Sequence, residues 1–292
     1  MNSTTVRKAM FGFYTVIFFT YLFGPLLVMG ISAFNTPSYP TAWPFEAFTL
    51  KWFADLATDA DMMYGLKTSI IIGLGVVALS VPVGLAAAIV MTQVYHRARS
   101  IYYLIVVSPV LTPGVILGIS TVIFWKDLTT VSGASWLFNG VFLAILGQST
   151  FVSAYCMLIF TSRLQRFDRA QEEAALDLGA TYPQVFRHVL LPFLAPAIAS
   201  SAVLAFLSSF ENYNTTTFAI LADKTLVTVL AGRVRQGTTP SLSALAVIIV
   251  AITLAGAIAY ELLRRREDRR AAAAKLAAEQ TRDTPMPSSL AT

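Results

Sequence analysis

The sequence has few charged residues, a single cysteine and two histidines. Asp, Glu, Lys and Arg together make up 13% of the 292 residues, about half of their share in an average soluble domain. The one cysteine, Cys156, excludes an intrachain disulfide framework and a cysteine-rich zinc site. Two histidines leave little material for a metal centre. These shortages argue against a water-soluble globular domain and against metal chemistry.

Long apolar runs take the place of the missing charges. Hydrophobic residues make up 56% of the chain and the mean hydropathy is +0.66. Six stretches lack charged residues and are long enough to cross a hydrocarbon core, which needs about 20 apolar residues as a helix. Each is expected to be helical, because lipid cannot satisfy an exposed backbone. The predicted spans, built around these stretches, are about residues 11–34, 68–92, 101–125, 137–161, 189–212 and 241–262.

The positive charges predict the orientation of these spans. The N-terminal segment, the connections after the second and fourth spans and the C-terminal tail hold most of the 21 lysines and arginines. Such connections face the cytoplasm. We therefore predict an all-α membrane protein with six transmembrane helices and both termini cytoplasmic. Residues 1–263 form the transmembrane domain, and residues 264–292 form a basic cytoplasmic tail whose end is disordered. The first span exceeds the usual 7–15-residue core of a signal peptide, so it is interpreted as a retained anchor.

This distribution also explains the net charge of +5. In a soluble domain such a balance raises the question of nucleic acid, but here the basic residues are a topology signal. The lipid bilayer is the expected partner, and nucleic acid is not.

Ionisable groups are scarce within the spans, and Glu211 is the exception. It begins a polar stretch, Glu211-Asn212-Tyr213, that interrupts the fifth span toward its outer end. A carboxylate beside an amide and a phenol can meet a cationic solute in a wet cavity. An alternative is that Glu211 pairs with a nearby cation such as Arg233, or lies in outer water. Prolines at 25, 82, 109 and 113 fall inside spans and favour kinks.

The connection at residues 162–192 has the composition of a helical hairpin. Gln171 to Leu178 favours a helix, with Glu172 and Glu173 near its N-terminus, where the helix dipole favours acids. Gly179 follows where a residue with positive φ is needed. A second short helix is predicted after it, with Thr181 and Gln184 as a capping box and Pro192 as its end.

Such a projection suits docking to another protein. The small side chains of Ala174 and Ala175 allow one helix face to approach a groove closely, as helix-in-groove contacts require. The acidic side chains of Glu172, Glu173 and Asp177 can pair with basic residues on a partner. An amphipathic connector that lies on the lipid surface is the alternative, but such a helix prefers a basic polar face.

These residues resemble a known family. The segment from Glu173 to Pro192 resembles the EAA loop of bacterial ABC importer permeases. It contains Glu173-Ala174-Ala175, then three residues, Gly179, nine residues, Val189, one residue and Leu191-Pro192, with Val where Ile is common. The resemblance implies a type I permease-like bundle in the inner membrane. It also implies that the loop docks in a cleft of a separate ATP-hydrolysing subunit through Glu173, Ala174, Ala175 and Gly179.

The same resemblance implies the partners. A second permease subunit would complete the translocation path, two ATP-binding subunits would use ATP and Mg, and an extracytoplasmic solute-binding protein would deliver the solute. The chain itself is expected to bind no cofactor and to be no enzyme, since it has no G-x-x-x-x-G-K-[ST] phosphate loop.

Within this family the chain is most similar to the second permease of spermidine/putrescine-type importers. Ser162 to Asp168 and the segment from Thr49 to Phe53 support this. Relatives of that type carry His at the position of Gln148 and an acidic pair at Glu211-Asn212. A polyamine or another small amino-containing solute is therefore expected, with Glu211, Asn212, Tyr213 and Gln148 as candidate contacts. A secondary carrier, a channel and an intramembrane enzyme are the alternative functions; H-E-x-x-H and G-x-S-x-G motifs are absent.

Overall fold

The computed structural model describes residues 3–256 and 258, and the regular secondary structure in this part of the chain is helical, apart from one isolated β-bridge. A short 3₁₀ turn at Ser135–Leu137 precedes the sixth helix, and a π-helical turn at Phe186–Leu190 joins the eighth helix to the ninth. The helices are α1 (Ser3–Ala33), α2 (Lys51–Thr58), α3 (Ala60–Gln93), α4 (His96–Leu111), α5 (Gly114–Ser132), α6 (Gly140–Leu164), α7 (Ala170–Asp177), α8 (Tyr182–Val185), α9 (Leu191–Phe210), α10 (Thr216–Ala219), α11 (Leu226–Gln236) and α12 (Pro240–Gly256).

The described helices form two compact units. The terminal unit contains the described residues up to Ala57 and from Thr238 onward, and the central unit contains Thr58–Gly237. In the terminal unit, Ala33, Trp52 and Ala244 form a small core between α1, α2 and α12. The indole Nε1 of Trp52 donates to the carbonyl of Asn35 at 2.7 Å.

The core of the central unit is a three-helix arrangement of α3, α6 and α9. Gly75 of α3 lies against Ile145, and Gly84 lies against Cys156, so α3 and α6 run in the same direction. The backbones of α3 and α6 approach closely at Gly84, because a Cβ there would lie 2.4 Å from the Cβ of Cys156. Packing of small residues at such contacts is typical of membrane helices. The Sγ of Cys156 lies 4.0 Å from the carbonyl oxygen of Ser201 in α9.

Capping residues fix where the helices of the central unit begin. The side chain of Asp59 accepts from the Met62 N–H at 3.0 Å and caps α3. The side chain of Asn139 accepts from the Phe142 N–H at 3.2 Å and caps α6. Each cap satisfies a backbone donor that has no partner within its own helix.

The third predicted span, residues 101–125, is divided between two helices. The hydroxyl of Tyr102 donates to the carbonyl of Ala87 at 3.0 Å, and Arg99 Nε donates to the carbonyl of Met91 at 3.2 Å. The two contacts together show that α4 runs antiparallel to α3. The rings of Trp125 and Phe142 are 5.3 Å apart, and Thr121 lies against Gly147, so α5 runs antiparallel to α6. Since α3 and α6 share one direction, α4 and α5 continue each other as one interrupted crossing.

Proline explains the interruption. Thr112 is extended, with φ −84° and ψ 131°, as a residue before proline prefers. Pro113 then caps the start of α5 instead of continuing α4. A kink was expected at this proline, and the structure shows a break of the helix.

Five described helices are long and apolar enough to cross a membrane: Met10–Ala33, Ala60–Gln93, Gly114–Ser132, Gly140–Leu164 and Tyr182–Phe210. The shorter helix α12 covers the first part of the predicted sixth span, 241–262. The end of that span and the basic tail, 264–292, lie outside the described residues. The count of six spans and the location of the termini stay predictions.

Candidate functional site

The hairpin, residues 165–190, projects from the end of α6 and returns to the start of α9. Its first helix, α7, begins where the Asp168 carboxylate accepts the N–H of Ala170 at 3.0 Å. Glu172 and Glu173 lie in its first turn, where the positive end of the helix dipole stabilises acids. The predicted first helix of the hairpin is therefore confirmed.

Gly179 ends this helix as expected. Its φ is +84°. The N–H of Gly179 bonds the carbonyl of Leu176 at 2.9 Å, and the N–H of Ala180 bonds the carbonyl of Ala175 at 3.0 Å. This pair of bonds is a Schellman motif, which satisfies the last carbonyls of α7.

The second helix, α8, begins after Thr181 as predicted, but it does not extend to Pro192. The Gln184 amide oxygen accepts the backbone N–H of Thr181 at 2.7 Å, which is the glutamine arm of the capping box. Pro192, expected to close this helix, instead lies in the first turn of α9. The chain passes from α8 to α9 through a π-helical turn in which the Leu191 N–H bonds the carbonyl of Phe186. A widened turn there accommodates a proline, which lacks an N–H and clashes with the carbonyl four residues before it.

The tip of the hairpin exposes two large apolar side chains. Leu178 is 89% exposed and Tyr182 is 72% exposed. Glu173, Ala174 and Asp177 are also exposed, whereas Glu172 and Ala175 are half-buried. Sequence reasoning missed Leu178 and Tyr182 as contact candidates. For Leu178, the available signal was its position as an apolar residue directly before the Gly179 turn.

Glu211, Asn212 and Tyr213 lie at the opposite end of α9 from the hairpin. Glu211 caps the C-terminus of α9 and is exposed. The Asn212 side-chain oxygen accepts from the backbone N–H groups of Thr215 and Thr216 at 3.1 and 3.3 Å. Asn212 therefore shapes the turn that follows Glu211.

Gln148 lies within the packed core instead of beside these residues. It is 1% exposed. Its Nε2 donates to Thr216 Oγ1 at 2.7 Å, and its Oε1 accepts from the Ser209 hydroxyl at 2.5 Å. Since both ends of the amide are bonded internally, Gln148 supports the end of α9 and the turn after it.

Glu211 is among the residues that line a recess of about 260 Å³. Its walls come from α6 and from the end of α9 with the turn after it. The rings of Phe151 and Tyr155 are 6.1 Å apart in an edge-to-face arrangement. The residues that line the recess are Phe151, Tyr155, Ser208, Glu211, Asn212, Tyr213 and Asn214.

Arg233, the alternative partner for Glu211, pairs with Asp59 instead. Arg233 Nη1 lies 2.5 Å from Asp59 Oδ2, which joins α11 to the start of α3. This hydrogen bond holds the pKa of Asp59 below its ordinary value, and burial of the carboxyl partly opposes that shift. The second cation of α11, Arg235, donates to the hydroxyl of Tyr213 at 3.0 Å.

Comparisons with known proteins identify the family of the chain. Residues 80–269 match the family described as binding-protein-dependent transport system inner membrane component. The putrescine transport system permease protein PotI of Escherichia coli K12 is 32% identical over 256 residues, covering 86% of this chain and 90% of PotI. The spermidine/putrescine transport system permease protein PotC of the same strain is 25% identical over 256 residues, covering 87% and 93%.

A solved structure shows the same fold. The crystal structure of a bacterial ABC transporter that imports the acidic polysaccharide alginate contains a chain with a TM-score of 0.64 and 18% identity. The match covers 85% of this chain and 90% of that one.

The fold and the matches define a membrane-embedded subunit of a solute importer. The chain belongs to the family of binding-protein-dependent transport system inner membrane components. It is a permease subunit of an ABC importer in the bacterial inner membrane, and it is not an enzyme. The predicted family is confirmed.

Proposed function

We propose that this chain forms half of a translocation path for a small amine such as putrescine or spermidine and is coupled to a separate ATPase through the hairpin. The exposed hairpin tip carries the coupling half of this proposal. The names of the relatives and the chemistry of the recess support the substrate half.

The hairpin has the form of a docking element. Leu178 and Tyr182 expose apolar surface beside the acidic residues Glu173 and Asp177. An exposed apolar tip with a polar rim is typical of a protein contact. In the proposal, Leu178 and Tyr182 fill a cleft of the ATPase subunit, and the acids meet basic residues at its edge.

The recess has the chemistry of an amine site. An ammonium group pairs with a carboxylate, here Glu211, and is attracted to aromatic faces, here those of Phe151 and Tyr155. Asn214 also lines the recess, and an asparagine side chain can supply an additional acceptor oxygen. In the proposal, one ammonium group of the solute lies against Glu211 during passage.

The proposed assembly contains partners that this chain needs for transport. A second, related permease supplies the other half of the path, so the permease pair is a heterodimer. Two ATP-binding subunits use ATP and Mg, and this chain binds no cofactor. ATP-driven closure of the ATPase pair favours one arrangement of the permease bundle through the docked hairpins.

Site-specific cross-linking tests the docking. A cysteine at the hairpin, Ala174→Cys, is expected to cross-link to the ATPase subunit in the assembled complex. The matched control is Ala222→Cys, an exposed alanine of the turn between α10 and α11, which is expected to give no such product. Native Cys156 is fully buried, so background labelling is low. An assembled complex in which Ala174→Cys gives no product with the ATPase would refute the docking.

Import kinetics test the substrate. The Glu211→Gln variant is expected to raise KM for labelled putrescine or spermidine about tenfold or more, because an ion pair is replaced by a neutral contact. The control is Glu46→Gln, a carboxylate in the terminal unit, whose KM should equal that of the wild type. Unchanged KM for both amines in Glu211→Gln would remove Glu211 from the path.

A further inference from the structure

One arginine joins the two ends of the hairpin. Arg163, in the last turn of α6, is half-buried. Its Nε and Nη2 donate to the carbonyl of Phe193 in α9 at 3.3 and 3.2 Å. The guanidinium carbon also lies 4.3 Å from the centroid of the Phe193 ring. The contact bridges 30 positions in the sequence, with the whole hairpin between them.

Phe193 is held from a second side. The Phe167 ring, in the segment that enters the hairpin, lies 5.0 Å from the Phe193 ring at an interplanar angle of 57°. Arg163 and Phe167 therefore both contact one residue of the segment that leaves the hairpin. We name the contacts of Arg163, Phe167 and Phe193 the base clamp.

The geometry of the clamp requires arginine. Two N–H groups of the guanidinium converge on one carbonyl, and the guanidinium carbon lies over an aromatic ring. A guanidinium does both at once because it is planar and has several donors in a fixed fork. A lysine ammonium at this position is a point charge and keeps only one of these contacts at a time.

The clamp lies where the hairpin has a deformable connection. The π-helical turn Phe186–Leu190 and Pro192 directly precede Phe193, and such turns and prolines are the usual places at which helices bend. Without the clamp, a displacement of the hairpin would be absorbed at this turn. With it, the displacement is applied to α6 and α9 together.

We propose that Arg163 is a positioning residue that transmits movement of the docked hairpin to the membrane helices. This inference rests on the proposed coupling to an ATPase. It predicts that loss of the clamp leaves docking and ATP hydrolysis in place while solute movement per ATP falls.

The test compares variants in the assembled complex reconstituted in vesicles. Import of labelled putrescine and ATP hydrolysis are measured on the same preparation for Arg163→Ala, Arg163→Lys and the control Arg166→Ala. Arg166 is an exposed arginine in the adjoining turn. Arg163→Ala is expected to lower the ratio of import to hydrolysis about fivefold or more, Arg163→Lys to lower it less, and Arg166→Ala to leave it unchanged.

An unchanged ratio in Arg163→Ala would overturn the proposal. An equal loss in Arg166→Ala would also overturn it, because positive charge at this end of α6 would then be the cause. If Arg163→Ala fails to assemble, Arg163→Lys decides, since it keeps the charge and loses the fork and the flat face; an unchanged ratio there rejects the clamp.

The Ala174→Cys cross-link separates this outcome from failure of the docking. A clamp variant that keeps the cross-link and the wild-type ratio refutes the clamp alone. Absence of the cross-link in the otherwise wild-type complex refutes the docking on which the clamp depends.

Discussion

At the scale of single residues, Gly179 determines the shape of the hairpin. Its φ of +84° lies in the left-handed region, while a Cβ built there meets nothing within 4 Å. The penalty for a side chain is therefore backbone strain of about 1–2 kcal/mol and not a clash. We predict that Gly179→Val reduces substrate-stimulated ATP hydrolysis in the assembled complex, because a β-branched residue opposes positive φ and would turn Leu178 away from the proposed ATPase cleft.

The matched variant is Gly179→Asn, which should keep most of the stimulation because asparagine tolerates the left-handed region. Wild-type stimulation in Gly179→Val would count heavily against a docking role for the hairpin.

The charge state of Asp59 makes the stability of the folded protein depend on pH. The Arg233 hydrogen bond lowers its pKa in the folded protein. The stabilisation by the ionised carboxylate is thus present above the unfolded pKa of about 3.9 and is lost as pH falls through the folded pKa. We predict that the thermal midpoint of the purified protein falls below about pH 4 more steeply than that of Asp59→Asn.

At neutral pH, Asp59→Asn should be the less stable of the two, since Arg233 loses its ionic partner. Asp59→Ala should lose about 1 kcal/mol more, because it also removes the cap on α3. Parallel midpoint curves for wild type and Asp59→Asn from pH 7 to pH 3 would contradict the assignment.

At the scale of elements, the sequence was most informative where structure depends on neighbours in the chain. The hairpin helix and its Gly179 turn follow from local capping and glycine chemistry, which the sequence displays directly. The break at Thr112-Pro113 and the π-helical turn before Pro192 were not predicted. Proline signals a disturbance of a helix, but whether it becomes a kink, a break or a widened turn depends on packing.

Contacts between distant residues were the least predictable. Gln148 was expected in the solute path, and its two internal bonds with Ser209 and Thr216 place it in the core. Arg233 was named as an alternative partner for Glu211, and it pairs with Asp59 instead. Each outcome depends on which helices lie side by side, and the local sequence pattern does not display that.

The contact between α3 and α6 gives a prediction about stability. A Cβ at Gly84 would lie 2.7 Å from the backbone oxygen of Ser153 and 2.4 Å from the Cβ of Cys156, neither of which can move away easily. We predict that Gly84→Ala destabilises the protein by about 1–3 kcal/mol through overpacking. The midpoint of thermal unfolding in detergent measures this.

The matched control is Gly75→Ala, on the same helix and facing the same partner. Its Cβ would meet the side chain of Ile145, whose terminal Cδ1 lies 2.5 Å away and can adopt another rotamer. Gly75→Ala should therefore cost less than Gly84→Ala; the reverse order would show that the close approach at Gly84 is not the tightest point of this interface.

At the scale of the whole molecule, α9 connects the two candidate sites of the central unit. It begins beside the clamp at Phe193 and ends at Glu211, next to the recess. Twenty helical residues span about 30 Å, the thickness of a hydrocarbon core. Gln148 and Asn212 then fix the position of the turn at its far end. In the proposed scheme, movement applied at the hairpin is delivered to the recess by this one helix.

The energy source for import, ATP hydrolysis or a proton gradient, tests the proposed coupling through the hairpin and α9. The buried polar side chains in the described residues are serines, threonines, Asn35 and Gln148, whose charge does not change with pH in the physiological range. The scheme therefore predicts that the complete complex in vesicles imports putrescine with internal ATP when an uncoupler has collapsed the proton gradient. A non-hydrolysable ATP analogue should stop import, and vesicles that contain only this chain should import none. Import that continues without ATP and ceases with the uncoupler would assign the chain to the secondary carriers, because the gradient, and not the hairpin, would then supply the free energy for the movement of α9.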